Sequence, residues 1–291
     1  MRHYINLLFQ SYAFIPAGAK AAITGSLLLI SLAMSAAMAV AATDRFKDGH
    51  IHYNQDVWDM LPPDRAIHML KEAGIERALV GSTPTLGTEK LYREDPLLVV
   101  PMMMPYKDYR HRFYWFNDPQ LIDYLREQLA RLPYVGFGEF HIFGDDMDSE
   151  PVAQMIALAR QKQLVLQPHT DLPGMLILLD KAADLPVIWA HGGFDVPIDT
   201  LKSLLDRYPE LTIDLSFREG LLIDNQQLTE EWREFLNEYS TRFLTGMDTY
   251  KPTRWADLPV LADRTINWLG QLDKAAAENI AHNNFERLFA R

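Results

Sequence analysis

The 291-residue chain contains no cysteine, which excludes disulfides and thiolate metal ligands alike. Any metal it holds is bound by nitrogen and oxygen, a donor set that suits zinc, manganese and similar ions. Residues 1–42 contain no acid, Arg2 and Lys20 are their only charged residues, and none falls within 21–42. No glycine/serine linker, block of like charge or internal repeat divides the remainder, and no glycine-rich phosphate loop follows any apolar run. These absences argue for one domain and against a doubly wound nucleotide-binding sheet.

The uncharged run centres on Leu27-Leu28-Leu29-Ile30 and ends in small residues, Ala37-Met38-Ala39 and Val40-Ala41-Ala42, both acceptable to a signal peptidase. Residues 1–42 are therefore expected to be a signal peptide. Their rival reading is an uncleaved anchor, because 22 uncharged residues can just span a bilayer. Either way the basic residues precede the run, which places residues 43–291 outside the cytoplasm, in a bacterial periplasm. That segment keeps 26 of the 28 basic residues and all 39 acidic ones, a formal charge of −13. Such a surface opposes nucleic-acid or anionic-membrane binding and leaves a small-molecule substrate as the expected partner. Membrane contact is expected only if the N-terminal segment stays uncleaved, and nothing in the sequence reports the oligomeric state.

Short apolar runs at 46–53, 77–82, 97–105, 135–143, 164–170, 186–193, 211–217 and 242–249 read as eight strands. Amphipathic stretches lie between them. Val152, Met155, Ile156 and Ala159 have the spacing of a buried helix face, as do Leu201, Leu204, Leu205 and Tyr208. Leu228, Trp232, Phe235 and Tyr239 form a third stripe, and Pro151 stands where a first helical turn accepts proline. The connection at 83–95 has the weakest helical pattern and reads as mostly loop. Eight strands alternating with helices in about 250 residues predict a single (β/α)8 TIM barrel.

A set of polar residues gathers at the ends of these runs. In Asp48-Gly49-His50-Ile51-His52 the two histidines share one face of strand one, so both rings can reach one ion. Glu139, His169, His191 and Asp248 come late in strands four, five, six and eight, at the barrel mouth where catalytic groups of this fold sit. Taken singly, each has an ordinary reading as a hydrogen-bonded core residue, an ion-paired loop acid or a turn residue. Six such residues at six mouth positions point instead to a divalent metal site holding one or two ions, with zinc the expected metal. Glu139 can bridge two ions, His169 and His191 can hold a second, and Asp248 can both bind and accept a proton from water.

At this point the chain resembles a family. His50-Ile51-His52, Gly136-Phe137-Gly138-Glu139, Gln167-Pro168-His169, Ala190-His191-Gly192-Gly193 and Gly246-Met247-Asp248 together resemble the amidohydrolase superfamily, most of all its amidohydrolase-related (amidohydrolase 2) branch. The tail Asn284-Phe285-Glu286-Arg287-Leu288-Phe289 resembles an ending common in that branch, so the likeness runs from about Lys47 to Phe289. The resemblance implies a barrel with a mono- or binuclear divalent site. It implies His50, His52, His169 and Asp248 as ligands, with Asp248 also the proton acceptor. His191 matches a second-metal ligand in some members and a substrate-polarising histidine in others. Glu139 matches the strand-four bridging ligand of two-metal members, which one-metal members do without. His141, on the same strand face as Glu139, is expected to be a further ligand, a substrate contact or a structural residue.

The basic and aromatic segment 106–116 follows strand three and would overhang the mouth, offering Arg110 or Arg112 to an anionic group between aromatic walls. Arg218, just past strand seven and in parity with Asp214 and Ser216, is the alternative anchor. The resemblance implies a metal-dependent hydrolase of a small ester, lactone, amide or related bond, with a non-oxidative decarboxylase of the same superfamily as the alternative. A phosphoesterase that opens with His-x-His should close with Asp-x-His, and here Asp248 is followed by Thr249 and Tyr250. A non-catalytic metal-binding scaffold is the remaining class, and a saturated metal shell would mark it.

Overall fold

The computed structural model describes residues 44–289; the expected export segment at 1–42 lies outside them. Eight strands form one parallel sheet in sequential order: β1 (Phe46–His52), β2 (Ile75–Gly81), β3 (Val99–Met103), β4 (Gly136–His141), β5 (Val165–His169), β6 (Val187–Trp189), β7 (Leu211–Asp214) and β8 (Phe243–Leu244). The last strand returns to the first through a bridge between Asp48 and Thr245, with Gly49 N–H donating to the Thr245 carbonyl at 2.8 Å. This is the (β/α)8 barrel expected from the alternation. Its strands are buried on both faces, as β3 shows with five buried residues in a row.

The longer helices outside the barrel are α1 (Pro63–Glu72), α2 (Leu86–Glu94), α3 (Leu121–Leu129), α4 (Glu150–Lys162), α5 (Leu172–Ala182), α6 (Ile198–Arg207), α7 (Glu230–Glu238) and α8 (Leu258–Leu269). Pro151 sits in the first turn of α4, and Val152, Met155, Ile156 and Ala159 form its buried face. In α6 the buried residues include Leu201, Leu204 and Leu205, and in α7 Trp232 and Phe235; Tyr208 and Tyr239 fall at the helix ends. Asp171 caps α5 by accepting the Gly174 N–H at 3.0 Å.

Two sequence expectations change. The connection at 83–95 is a full helix, α2, not mostly loop. Its buried residues are Gly87, Thr88, Glu89 and Leu91, so the inward face carries little apolar signal; Glu89 is instead held by Arg93 at 3.0 Å and Arg131 at 2.7 Å. Strands six and eight are shorter than 186–193 and 242–249, ending at Trp189 and Leu244. Beyond Trp189 the chain turns through positive φ at His191, Gly192 and Gly193, and beyond Leu244 it reaches Asp248 at φ 44°. Gly246 makes the second turn possible, since a Cβ there would stand 2.8 Å from Asp214 Oδ1 and 3.0 Å from His50 Cβ.

The tail closes the opposite end of the barrel. Asn284 Nδ2 donates to the Ser240 and Phe243 carbonyls at 2.7 and 2.8 Å, and Arg287 to the Thr241 carbonyl at 2.9 Å. Phe285, Leu288 and Phe289 then pack on Leu79, Val100 and Leu244 inside the barrel. Among the described residues, no helix is long and apolar enough to cross a membrane.

Candidate metal centre

Strand β1 delivers His50 and His52 to the mouth with their Nε2 atoms 2.9 Å apart. What lies behind each ring decides which nitrogen faces inward. His50 Nδ1–H donates to Asp214 Oδ2 at 2.7 Å, and His52 Nδ1–H to the Gly81 carbonyl at 2.8 Å. His191 Nδ1–H has the Ser216 carbonyl at 3.0 Å. A carboxylate or carbonyl can only accept, so all three rings carry their anchoring proton on Nδ1 and turn Nε2 toward the centre, the arrangement in which histidine ligates metal.

Glu139 lies at the middle of the group. Its Oε1 is 2.7 Å from His169 Nδ1, 3.1 Å from His191 Nε2 and 3.6 Å from His50 Nε2; its Oε2 is 3.4 Å from His52 Nε2. Asp248 Oδ1 faces His52 Nε2 at 3.4 Å and His50 Nε2 at 3.7 Å, and Oδ2 faces His191 Nε2 at 3.9 Å. The structure thus brings together all six residues singled out as ligands. Two overlapping ligand groups, His50–His52–Glu139 and Glu139–His169–His191, share the glutamate. His191 reaches the centre from the turn after β6 and Asp248 from the turn after β8, not from the strands themselves.

These residues fit a cation. Asp248 Oδ1 is buried and has no hydrogen-bond partner, a costly state for a carboxylate oxygen that an ion would relieve. Burial opposes charge on His50, but Asp214, Asp248 and Glu139 outweigh it and drive its pKa well above the usual histidine value. Burial likewise works against ionised Glu139, and the surrounding histidines His141, His50, His169 and His191 hold its pKa well below the usual glutamate value. Asp214 follows the same pattern, with the charge and hydrogen bond of His50 overriding burial. The carboxylates therefore demand positive charge at the point where the Nε2 atoms converge.

Above the centre is a cavity of about 350 Å³ whose walls include His141, Tyr109, Arg112, Phe194, Phe217 and Tyr250. Of the two arginines expected on the overhanging segment, Arg112 lines the cavity and Arg110 does not; Arg110 is exposed. Asp108 Oδ1 accepts the N–H groups of both Arg110 and His111, leading the chain into a 3₁₀ turn at His111–Phe113 that lays Arg112 against Tyr109. The Arg112 guanidinium stands 4.8 Å from the Tyr109 ring centroid and 5.1 Å from that of Phe113. Arg218 does not reach the cavity. It is buried, and its Nε and Nη2 donate to the His191 and Gly192 carbonyls at 2.6 and 2.5 Å. The strand ends at Asp214, and Phe217 turns at φ 59°, so the parity that would aim Arg218 inward is broken.

His141 does line the cavity, with Nε2 3.6 Å from Glu139 Oε2. Its Nδ1 lies 3.1 Å from the Tyr106 hydroxyl, which also accepts the His141 backbone N–H. Burial pushes His141 down to about 3, so the ring is neutral. A hydroxyl donating to Nδ1 leaves the ring proton on Nε2, which makes His141 a hydrogen-bond donor to the cavity, unlike the three rings that present a lone pair. The sequence places Tyr106 only within the overhanging segment 106–116, and Asp214 enters there only as the residue that sets the parity of Arg218. An acid closing strand seven beside a strand-one histidine was the available signal for Asp214, whereas nothing local marks Tyr106.

No protein-family model matches the chain. Solved structures do match. An amidohydrolase from Burkholderia multivorans with bound zinc superposes with a TM-score of 0.56 at 13% identity, covering 84% of this chain and 99% of that one. A TatD homologue from Escherichia coli superposes at 0.57 with 17% identity, covering 86% and 99%. The chain shares the (β/α)8 barrel fold of both proteins. A beta-aspartyl dipeptidase from Fervidobacterium islandicum shares that barrel fold with a TM-score of 0.54 and 16% identity, covering 84% of this chain and 72% of its own. One curated sequence also matches, the nonribosomal peptide synthetase sidC of Aspergillus fumigatus, at 27% identity over 162 residues. That match takes in 50% of this chain, and the chain spans only 3% of the synthetase's length.

Proposed function

We propose that the protein is a metal-dependent hydrolase acting on a small ester, lactone, amide or related bond. The observation that carries this reading is Asp248 Oδ1, buried without a protein partner, beside the His50 and His52 Nε2 atoms at the floor of the cavity. The amidohydrolase fold, and the zinc bound by one protein that shares it, support it. His50, His52, His169, Asp248 and Glu139 would hold the ion, with His191 a ligand to a second ion or a polarising group. Zinc suits the all nitrogen and oxygen donor set, and Glu139, shared by two ligand groups, allows one ion or two. When bound, a divalent ion supplies Lewis acidity and makes water acidic enough to attack near neutral pH.

The chain's own residues do the rest. Asp248 takes the proton of the attacking water and can return it to the leaving group. His141 Nε2–H donates to the substrate carbonyl, Arg112 holds an anionic group at the rim, and the aromatic walls exclude water. Zinc-loaded protein assayed on a panel of lactones, esters and amides, beside aromatic acids, tests the reading. Hydrolysis supports it; carbon dioxide released from the acids with no hydrolysis replaces it with the decarboxylase.

The run at 21–42 supports export to a periplasm with cleavage near residue 40 or 43. Intact-mass measurement of periplasmic extract tests that, and full-length chain recovered only from membranes would replace cleavage with anchoring.

A further inference from the structure

Two residues on which the proposed hydrolysis depends stand on backbone that side chains other than glycine avoid. His191 has φ 57° and Asp248 has φ 44°. Each is held from behind by an arginine in the same way. Arg218 Nε donates to the His191 carbonyl at 2.6 Å while its Nη2 reaches the next carbonyl, that of Gly192, at 2.5 Å. Arg254 Nε donates to the Asp248 carbonyl at 3.3 Å while its Nη2 reaches the preceding carbonyl, that of Met247. The two forks are linked by Phe217, whose ring lies 4.1 Å under the Arg254 guanidinium and 5.8 Å from the His191 ring.

We infer that Arg218 and Arg254 are positioning residues, each locking two consecutive carbonyls of the turn that carries His191 or Asp248 and so aiming that side chain at the metal centre. The inference rests on the metal-site reading above. Its physical basis is the guanidinium fork. A left-handed turn takes its carbonyls out of the strand ladder; the His191 carbonyl accepts the Phe194 N–H at 3.1 Å, and the arginine forks supply the side-chain donors to the turns. Two N–H donors on successive carbonyls fix the two peptide planes on either side of one residue, Gly192 after His191 in the first turn and Asp248 itself in the second, whereas one donor fixes only one plane.

The placement of Arg218 favours the assignment. It is 1% exposed and burial lowers its pKa to about 10. A buried cation is ordinarily matched to a carboxylate. Here the guanidinium is directed to two carbonyls of the turn that carries a site residue, with the Trp232 ring centroid 5.3 Å away.

Cobalt titration followed by visible absorption, with melting of the metal-free protein measured in parallel, tests the inference on Arg254→Gln, Arg254→Lys and Arg218→Lys. Arg254 is only half-buried, so its replacement is the arm least exposed to misfolding. Arg254→Gln is expected to bind Co²⁺ about 10–100-fold more weakly, the usual effect of losing a group that orients a ligand, and Arg218→Lys, which keeps one donor of the fork, to show a smaller loss in the same direction. Their cobalt spectra should change while the metal-free melting temperature stays near wild type. Arg254→Lys should recover part of the affinity, because an ammonium can reach one of the two carbonyls. Wild-type affinity and spectrum in both Arg254→Gln and Arg218→Lys would overturn the inference. So would affinity loss that tracks loss of metal-free stability, which would make the arginines supports of the fold alone. Failure of the unaltered protein to bind Co²⁺ would refute the metal site itself, and the clamps with it.

Discussion

His50 Nε2 faces His52 Nε2 at 2.9 Å, nitrogen to nitrogen. Both Nδ1–H groups are already committed, one to Asp214 and the other to the Gly81 carbonyl, so a single positive charge must lie between the rings. In the metal-free protein that charge is a proton on His50, whose pKa is raised well above the usual value because, against burial, three carboxylates favour the charged ring. A metal ion held by the two Nε2 atoms would displace that proton. Zinc affinity should therefore rise with pH, about tenfold per unit for one proton released, until the His50 pKa is passed. Calorimetric titration in buffers of different ionisation enthalpy would read the proton count, and a count of zero would contradict the arrangement.

Removing one ligand should remove metal and leave the barrel. His52→Ala and His169→Ala are expected to lower the bound metal measured by elemental analysis while far-UV circular dichroism stays unchanged, because mouth residues serve the site more than the core. Full metal occupancy in both variants would disprove the ligand assignment.

Asp248→Asn separates the ligand and base roles of that carboxylate. Asparagine keeps the size and one coordinating oxygen but is a very poor base. At least one ion should remain, and turnover on whichever ester or lactone proves active should fall by about 10²–10⁴. A nearly unchanged rate with metal retained would shift the base role to His191 or Glu139.

Asp48 gives a prediction for the metal-free protein. Burial pushes its carboxyl up to about 8, against the hydrogen bonds that its Oδ1 accepts from His50 N–H at 2.8 Å and Met247 N–H at 3.2 Å. A carboxyl whose folded-state pKa lies above its unfolded value costs stability progressively as pH rises between the two, from about 4 to about 8. His50 acts in the same direction, its contribution being complete below the unfolded histidine pKa and lost as pH rises through the folded one. Metal-free wild type should thus melt lower at pH 9 than at pH 6. Asp48→Asn keeps the Oδ1 acceptor without the titration, so it should melt above wild type at pH 9, with a smaller advantage at pH 5. Parallel melting curves for the two proteins would refute this.

The eight strands, the barrel and the six residues that converge at its mouth were legible in the sequence because each depends on a local pattern. Alternation placed His50 and His52 on one face, and apolar runs located Glu139 and His169 near strand ends. The helix α2 was not legible, because its buried face is Gly87, Thr88, Glu89 and Leu91 and its charge is neutralised by Arg131 from another element. Arg218 was misplaced because parity was extended past the end of β7, where the chain turns at Phe217.

By itself, then, the sequence determined which residue types could meet at the barrel mouth, since strand periodicity and residue chemistry are properties of a few neighbouring positions. Only the tertiary structure decided how each of them acts. Closing the ring put Asp214 of β7 behind His50 of β1, and the register of β2 put the Gly81 carbonyl behind His52, which together selected the nitrogens that face the metal. Tyr106 set His141 apart as a donor, and two arginines remote in sequence from the residues they hold, or separated from them by a turn, came to rest on the carbonyls of His191 and Asp248. Those relationships depend on which surfaces face each other when eight strands close, and no run of adjacent residues encodes them.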